Sequence, residues 1–321
     1  MKNNSGNKRL PTICFVLATK NLGLYADMAA VAALAVRRLH PEARIVLVTD
    51  EPTARAIHHR NHPLANIVSE IIVQVTGTDL PSVSSRHLRT ILRQLVKGDY
   101  LYMDADAIAV RPLDRGWPGD ADLAMARDRN QRSITRLALP CVEKLRAKLA
   151  WDFRMDRYLN AGVMFVRDTP GAHAFYAEWH RRWEQALSLG IWQDQFSLNS
   201  ASTIEIATIA ILPDRDNWVT HSMAMLRGRA QIFHFFASVY GDEIPVNTLL
   251  GHLIKRFQSE GVLDEASIAW ATDENFPWMN EVRLRHLLAS GRYGRAAGVL
   301  APSIIRRIRR SLPRCGHTPD V

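Results

Sequence analysis

Short apolar segments alternate with segments of helical periodicity through the first third of the chain. The apolar segments, residues 12–18, 44–49, 70–75 and 99–103, are predicted strands. Residues 24–39 and 85–96 have the spacing of helices, and residues 77–84 are predicted to form a loop. Strands that alternate with helices pair in parallel through right-handed crossovers. The sequence therefore predicts a Rossmann-like half built on a parallel sheet.

The pattern changes after residue 104. Shorter strands are predicted at residues 122–126, 162–166, 206–212 and 231–236, with a helix at 172–189 and another beginning near residue 192. Mixed strands that follow a parallel half indicate one continuous α/β domain. We therefore predict a first domain over residues 1–250 and a helical extension over residues 251–321.

The basic character of the chain is concentrated at its end. The net charge is +9, yet residues 282–319 contain nine Arg and no Asp or Glu, so the rest is almost neutral. Residues 299–314 include Ser-Ile-Ile-Arg-Arg-Ile-Arg-Arg-Ser-Leu, which places isoleucines on one helical face and arginines opposite. Such a helix can lie on an anionic membrane surface. The alternative is a basic tail without a function.

Several classes of protein are disfavoured by what the sequence lacks. No GxGxxG fingerprint or P-loop is present, which argues against a nicotinamide dehydrogenase or a P-loop NTPase. The three cysteines include no CxxC pair, which argues against a disulfide framework and a structural zinc site. No apolar segment approaches the roughly 20 residues of a membrane span. We expect a cytoplasmic protein.

Two carboxylates follow the fourth predicted strand, in the sequence Asp104-Ala105-Asp106. Residues i and i+2 of a strand share a face, so the two side chains can point the same way. Like charges held this close require a shared proton or a bound cation, and carboxylate oxygens suit Mg²⁺ or Mn²⁺. The alternative is a solvated turn after a core strand.

Three later segments accompany the acidic pair. They are Tyr-Leu-Asn-Ala-Gly-Val-Met-Phe at residues 158–165, Trp-Gln-Asp-Gln at 192–195, and His234 within Phe-His-Phe-Phe. In this order and at these separations, the four segments resemble the GT-A fold glycosyltransferases, particularly glycosyltransferase family 8. The resemblance covers roughly residues 12–240. It implies a GT-A (Rossmann-like) α/β fold with a central mixed, mostly parallel sheet, followed here by the basic helical tail.

The resemblance also implies a metal-dependent reaction. Asp104, Asp106 and His234 would hold Mn²⁺ (or Mg²⁺), which bridges the diphosphate of a nucleotide-sugar donor. Carboxylate and imidazole together suit Mn²⁺. Asp194 and Gln195 would lie near the anomeric carbon as the catalytic pair. A turn over residues 160–162 would contact the donor sugar, with the small residues allowing close approach of the backbone.

The remaining donor contacts carried over by the resemblance involve the phosphates, the ribose and the base. Arg86 would reach the donor phosphate or sugar, and Arg89 is a second candidate for the same role. Thr19 would meet the nucleobase, and Tyr25 would stack nearby. The full set of expected substrate-binding residues is Thr19, Tyr25, Arg86, Arg89, Ala105, Asn160, Ala161 and Gly162.

Structural roles remain open for several of these residues. Asn160 could cap a strand and Asp194 a helix, while His234 could be a hydrogen-bonded core residue. The arginines of residues 85–96 could form a solvated helix face.

The expected function is transfer of a sugar from a nucleotide-diphosphate donor, UDP-linked, to a glycan or lipid-linked acceptor, with retention of configuration. A haloacid dehalogenase-type phosphatase using Asp104 and Asp106 is one alternative, although three strands precede the motif here. Nucleic-acid binding through the Arg tail is another. The neutral body argues against it, and no nucleic-acid partner is expected.

Overall fold

The computed structural model describes residues 10–20, 22–113, 119–129, 139–220, 229–237, 244, 248–272, 293–294 and 297. Ten strands and ten α-helices are assigned in this part of the chain. The predicted amphipathic segment 299–314 lies outside it, as does most of the predicted extension. None of the helices in the described ranges combines the length and apolar character that a membrane span needs.

A seven-stranded sheet forms the centre of the molecule, in the order β3-β2-β1-β4-β7-β6-β8. Strands β1 to β4 are parallel, β7 is antiparallel to both of its neighbours, and β8 is parallel to β6. The predicted mixed, mostly parallel sheet is confirmed. The strands are β1 (Thr12–Leu17), β2 (Ile45–Asp50), β3 (Glu70–Gln74), β4 (Tyr100–Met103), β6 (Leu123–Arg127), β7 (Leu159–Val166) and β8 (Ile209–Leu212).

A second, three-stranded sheet lies beside the end of β4. Its order is β5 (Ala107–Ala109), β10 (Ile232–His234) and β9 (Trp218–Val219). Strand β5 begins just after the acidic pair and runs antiparallel to β10, with His234 opposite Ala107. This pairing brings a histidine about 130 residues away in sequence next to Asp106.

The helices cover both faces of the large sheet. They are α1 (Leu24–Leu39), α2 (Glu51–His59), α3 (Leu64–Ile67), α4 (Pro81–Thr90), α5 (Leu92–Leu95), α6 (Leu139–Leu149), α7 (Pro170–Ser188), α8 (Asp194–Ala201), α9 (Leu249–Glu260) and α10 (Glu265–Thr272). Alternate residues of β1 enter two separate cores. Phe15 packs on the face with α1 and α9, whereas Val16 packs on the face with α4 and α7.

Two local predictions around α4 and α5 differ from the structure. The loop predicted over residues 77–84 ends early, because Pro81 occupies the first turn of α4, where its missing N–H costs nothing. The single helix predicted over residues 85–96 is broken at Ile91, whose backbone (φ −103°, ψ 5°) leaves helical geometry between α4 and α5. The break separates a helix that carries site arginines from a short turn that packs under the sheet.

The predicted boundary at residue 250 falls inside α9. This helix begins at Leu249 and buries Leu250, Leu253, Ile254 and Phe257 in the same core as α1. The division into residues 1–250 and 251–321 stays a prediction.

Candidate active site

Asp104, Asp106 and His234 converge at the edge of the large sheet where β4 ends. Each offers one ligand atom, and these atoms all lie within 4.8 Å of one another. Both aspartates lie in the turn between β4 and β5, rather than in the strand itself. They face the histidine because Asp104 N–H donates to the Gly162 carbonyl (2.8 Å) and Phe235 N–H donates to the Asp106 carbonyl (3.1 Å).

Each carboxylate has one oxygen engaged by the protein and a second directed at the histidine. Oδ1 of Asp104 accepts from Nη1 of Arg89 (2.9 Å) and from the Tyr102 hydroxyl. Oδ2 of Asp106 accepts from Ala237 N–H at 2.6 Å. The other oxygens, Oδ2 of Asp104 and Oδ1 of Asp106, lie 3.8 and 3.5 Å from Nε2 of His234. Three potential ligand atoms therefore converge, and hydrogen bonds within the protein already orient the side chains that carry them.

The electrostatics of the cluster follow from burial and from its opposite charges. Burial alone would lower the pKa of His234, but the charge of Asp106, a hydrogen bond to it and the charge of Asp104 raise that pKa above 6.5. Burial alone would raise the pKa of Asp106. The charge and hydrogen bond of His234 and the Ala237 N–H lower it below its usual 3.8. An ionised carboxylate beside a cation is therefore favoured here.

Gly162 allows the backbone of β7 to approach the cluster. A Cβ atom at this position would lie 2.1 Å from Cε1 of His234 and 2.9 Å from Oδ2 of Asp104. No side chain fits there without displacing His234 and Asp104. Asn160, Ala161 and Gly162 all lie within β7, which begins at Leu159, so the predicted turn over these residues is instead a strand. The strand is continuous because its two ends are paired, Leu159 with Arg127 of β6 and residues 163–166 with β4.

Arg89 links Asp194 to the group formed by Asp104, Asp106 and His234. Nε and Nη2 of Arg89 donate to the two oxygens of Asp194 at 2.6 and 2.5 Å, while Nη1 reaches Asp104. Arg89 is buried, which by itself lowers its pKa, but Asp194, Tyr102 and Asp104 raise that pKa well above its usual value. Arg89 therefore bridges two carboxylates inside the protein. The more exposed Arg86 lies over the Trp192 ring, with its Nε 3.3 Å from Asp194.

Gln195 follows Asp194 in the first turn of α8 and is held at both ends of its amide. Its Nε2 donates to Oδ2 of Asp128 at 2.7 Å. Its Oε1 lies 3.4 Å from Ala161 N–H. Asp128 is buried just after β6, where its own N–H donates to the Tyr158 carbonyl at 2.8 Å. The two halves of the predicted catalytic pair are thus anchored to different partners.

The other residues predicted to bind the nucleotide-sugar donor lie on several elements around the site. Thr19 follows β1, the parallel neighbour of β4, and its backbone N–H and carbonyl both bond the Thr53 hydroxyl. Tyr25 lies in the first turn of α1 and is largely exposed. Ala105 lies between the two acidic ligands and packs against the main core. The side-chain oxygen of Asn160 is used internally, by Gly162 N–H and Asn217.

Two buried residues of the site were not predicted. Asp128 follows an apolar strand, so the rule that ligands gather at the ends of strands could have identified it. Asn217 lies in a short 3₁₀ helix within Asp-Arg-Asp-Asn and carries no comparable signal. Its Oδ1 lies 2.8 Å from Nδ1 of His234. Its place in the site follows only from the pairing of β9 with β10.

The three potential ligand atoms suit a divalent cation. Two carboxylate oxygens and one imidazole nitrogen suit Mn²⁺, and such an ion would offset the two negative charges that Arg89 alone only partly balances. No other group of three His, Cys, Asp or Glu side chains with this spacing occurs in the described ranges.

No family model matches the sequence, and no curated protein matches it. Solved structures do match. Mouse xyloside xylosyltransferase 1 in its apo form superposes with a TM-score of 0.50 at 14% identity, over 74% of this chain and all of that one. The chain has a GT-A fold.

Two other glycosyltransferases superpose on this GT-A chain with lower scores. The galactosyltransferase LgtC in complex with donor and acceptor sugar analogues gives a TM-score of 0.47 at 17% identity, over 70% of this chain and 87% of that one. The glycosyltransferase GlyE of Streptococcus pneumoniae TIGR4 gives 0.49 at 14% identity, over 81% and 63%. The match to the xylosyltransferase confirms the fold expected from the sequence.

Proposed function

We propose that this chain is a metal-dependent glycosyltransferase that uses a nucleotide-diphosphate sugar. One observation carries the proposal: Asp104, Asp106 and His234 present three convergent ligand atoms beside Asp194 and Gln195, at the sheet edge where α/β folds bind ligands. A fold alone supports many activities. The combination of this fold with this cluster is what favours sugar transfer.

Asp104, Asp106 and His234 would hold the cation. When bound, Mn²⁺ or Mg²⁺ would neutralise charge that builds on the departing diphosphate. In the reaction, the bond from C1 of the sugar to the diphosphate oxygen breaks, and its electron pair goes to that oxygen. An acceptor hydroxyl oxygen bonds to C1, and its proton passes to the departing phosphate.

The remaining residues of the site would orient the donor sugar. A carboxylate can accept about four hydrogen bonds, so Asp194 keeps acceptor capacity for sugar hydroxyls beside its bonds to Arg89. Gln195 would present a fixed amide, because Asp128 and Ala161 hold its two ends. A preorganised dipole stabilises developing charge without reorganising during the reaction.

The phosphatase alternative fits the geometry less well. In that chemistry one aspartate of the pair attacks phosphorus and must approach it freely. Oδ1 of Asp104 is engaged by Arg89 and Tyr102, and Oδ2 of Asp106 by Ala237 N–H. The other two oxygens face His234 instead, as ligands would.

Incubation with a panel of nucleotide-sugars tests the proposal, with release of nucleoside diphosphate followed by chromatography. We expect turnover of one donor in Mn²⁺ and none in EDTA. Asp106→Asn, which keeps the shape of the side chain and removes its charge, should lower turnover by about 100-fold or more. Glu143→Gln on the exposed side of α6 is the matched amide control and should behave like the wild type. Equal turnover in Mn²⁺ and EDTA, or release of phosphate from simple monoesters, would contradict the proposal.

Finer features extend the proposal on the strength of the family resemblance. We propose a UDP-linked donor, retention of configuration and a glycan or lipid-linked acceptor, in the cytoplasm. Residues 299–314 would hold the enzyme at an anionic membrane surface. Deletion of residues 299–321 should abolish sedimentation with anionic vesicles and leave donor hydrolysis unchanged. Undiminished sedimentation would remove the membrane role.

A further inference from the structure

We infer that Asn217 and Asn160 are positioning residues that fix the proton of His234 on Nδ1, which leaves Nε2 to act as a metal ligand. The inference rests on the metal site of the proposed function. The four groups involved, Gly162 N–H, Asn160, Asn217 and the His234 ring, are called the asparagine relay. Both asparagines are buried, with exposed fractions of 2% and 1%.

The relay begins at a donor whose identity is certain. The backbone N–H of Gly162 lies 2.9 Å from one side-chain atom of Asn160, and an N–H must meet an acceptor, so that atom is Oδ1. The same Oδ1 lies 2.8 Å from the side-chain amide of Asn217. Asn217 must therefore present its Nδ2 to Asn160.

The orientation of Asn217 then determines the histidine. With Nδ2 directed at Asn160, Oδ1 of Asn217 faces Nδ1 of His234 at 2.8 Å. An amide oxygen only accepts, so Nδ1 carries the proton. If the amide of Asn217 were turned over, its oxygen would oppose Oδ1 of Asn160, and the contact to Asn160 would become repulsive.

The relay works against the neighbouring carboxylates. Nε2 of His234 lies 3.5 Å from Asp106 and 3.8 Å from Asp104, and two carboxylates this close favour a proton on Nε2. A ring with its single proton there cannot bind a cation through Nε2. An acceptor on the opposite side of the ring offsets this preference, as partners of metal-ligating histidines do.

The tautomer can be read from the protein without any metal. In protein labelled with ¹⁵N-histidine, two-bond ¹H–¹⁵N spectra at a pH where the ring is neutral distinguish the protonated nitrogen from the bare one. A His234→Gln variant assigns the signals. We expect protonated Nδ1 in the wild type and in Asn160→Asp, whose carboxylate still accepts from Gly162 and Asn217. Asn217→Leu should shift the proton toward Nε2. Bare Nδ1 in the wild type would overturn the inference.

Metal affinity gives the second readout, from the electron paramagnetic resonance signal of free Mn²⁺. We expect Asn217→Leu and Asn160→Leu to weaken Mn²⁺ binding by about 10–100-fold, as loss of an outer partner does. Asn160→Asp should bind at least as tightly as the wild type. Thr49→Val, which removes a buried hydroxyl bonded to the Leu17 carbonyl at a distant strand, is the control for general destabilisation and should not change the affinity.

The outcomes separate the relay from the proposed function. If Asn217→Leu does not fold, Asn160→Leu tests the relay instead. This variant removes the acceptor of the Asn217 amide and leaves the contact between Asn217 and His234 in place. Wild-type affinity in the folded Leu variants would refute the relay. If the wild type binds no Mn²⁺, the proposed function fails, while the tautomer spectrum still decides the relay by itself.

Discussion

The absence of a side chain at Gly162 allows the His234 ring to occupy its present position. Because a Cβ atom there would lie 2.1 Å from the His234 ring, Gly162→Ala must displace the ring from the carboxylates. We expect Mn²⁺ affinity to fall at least 10-fold and the free energy of unfolding to fall by about 1–3 kcal/mol, the usual cost of overpacking. Calorimetric Mn²⁺ titration and urea unfolding measure the two effects.

Gly294 provides the matched control for this substitution. A Cβ atom on Gly294 would meet no atom of the described residues within 4 Å, so Gly294→Ala should not lower the free energy of unfolding. Unchanged Mn²⁺ affinity in Gly162→Ala would show that the ring does not need its present position.

The buried Arg89–Asp194 ion pair should contribute strongly to the free energy of unfolding. Both side chains are buried, and removal of one partner of such a pair leaves an uncompensated charge that costs about 3–5 kcal/mol. Asp194→Asn keeps the shape of the side chain, and Asp104 still offsets part of the Arg89 charge. We therefore expect a loss near the lower end, about 3 kcal/mol, in urea unfolding.

An exposed pair shows what a surface interaction contributes. Glu70 pairs with Arg44 with both side chains more than 40% exposed, so Glu70→Gln should cost about 0.5 kcal/mol or less. An equal loss of unfolding free energy in Asp194→Asn and Glu70→Gln would mean that burial of Asp194 does not increase the contribution of its ion pair.

Among the elements, α7 and α8 are tied together by charge as well as by packing. Glu178 of α7 accepts from Arg181 and Arg182, and Arg182 also donates to Ser200 of α8. The hydrogen bond from Arg181 and then that from Arg182 outweigh the effect of burial, and they lower the pKa of Glu178 from 4.5 to about 2. Helix α8 begins with Asp194 and Gln195, so this link supports the site.

The pH dependence of this link has a definite sign. A carboxylate whose pKa is lowered by folding stabilises the protein fully above its unfolded pKa, 4.5, and loses this contribution as pH falls toward 2. Glu178→Gln should be about 1 kcal/mol less stable than the wild type at pH 7, and the gap should narrow between pH 4.5 and 2. Urea unfolding at pH 7 and pH 3 measures it, with Glu143→Gln as the control. A gap that does not change with pH would contradict the assignment.

The elements most accurately predicted are those whose apolar pattern is long and locally determined. Helix α1 was predicted to the residue and β1, β2, β3 and β4 to within one or two positions, because each buries one unbroken apolar segment. The start of β7 was missed by three residues. Its polar Asn160 looks like a turn in sequence, yet it satisfies buried donors from Gly162 and Asn217 inside the sheet.

Across the whole molecule, the candidate metal-binding residues were predictable and their partners were not. The family resemblance selected Asp104, Asp106 and His234, and the structure brings their ligand atoms together. Arg89 bridging two carboxylates depends on the distance between α4 and α8, which no local pattern encodes. The same holds for Asn217, which reaches His234 only through the small second sheet.

The proposed function requires that a dication join the protein to a nucleotide diphosphate. Isothermal titration of UDP into the protein tests this directly, with Mn²⁺ present, with EDTA, and with Asp106→Asn in Mn²⁺. We predict binding to the wild type in Mn²⁺, with at least a 10-fold loss in EDTA and a similar loss in the variant. Equal affinity for UDP in Mn²⁺ and in EDTA would contradict it.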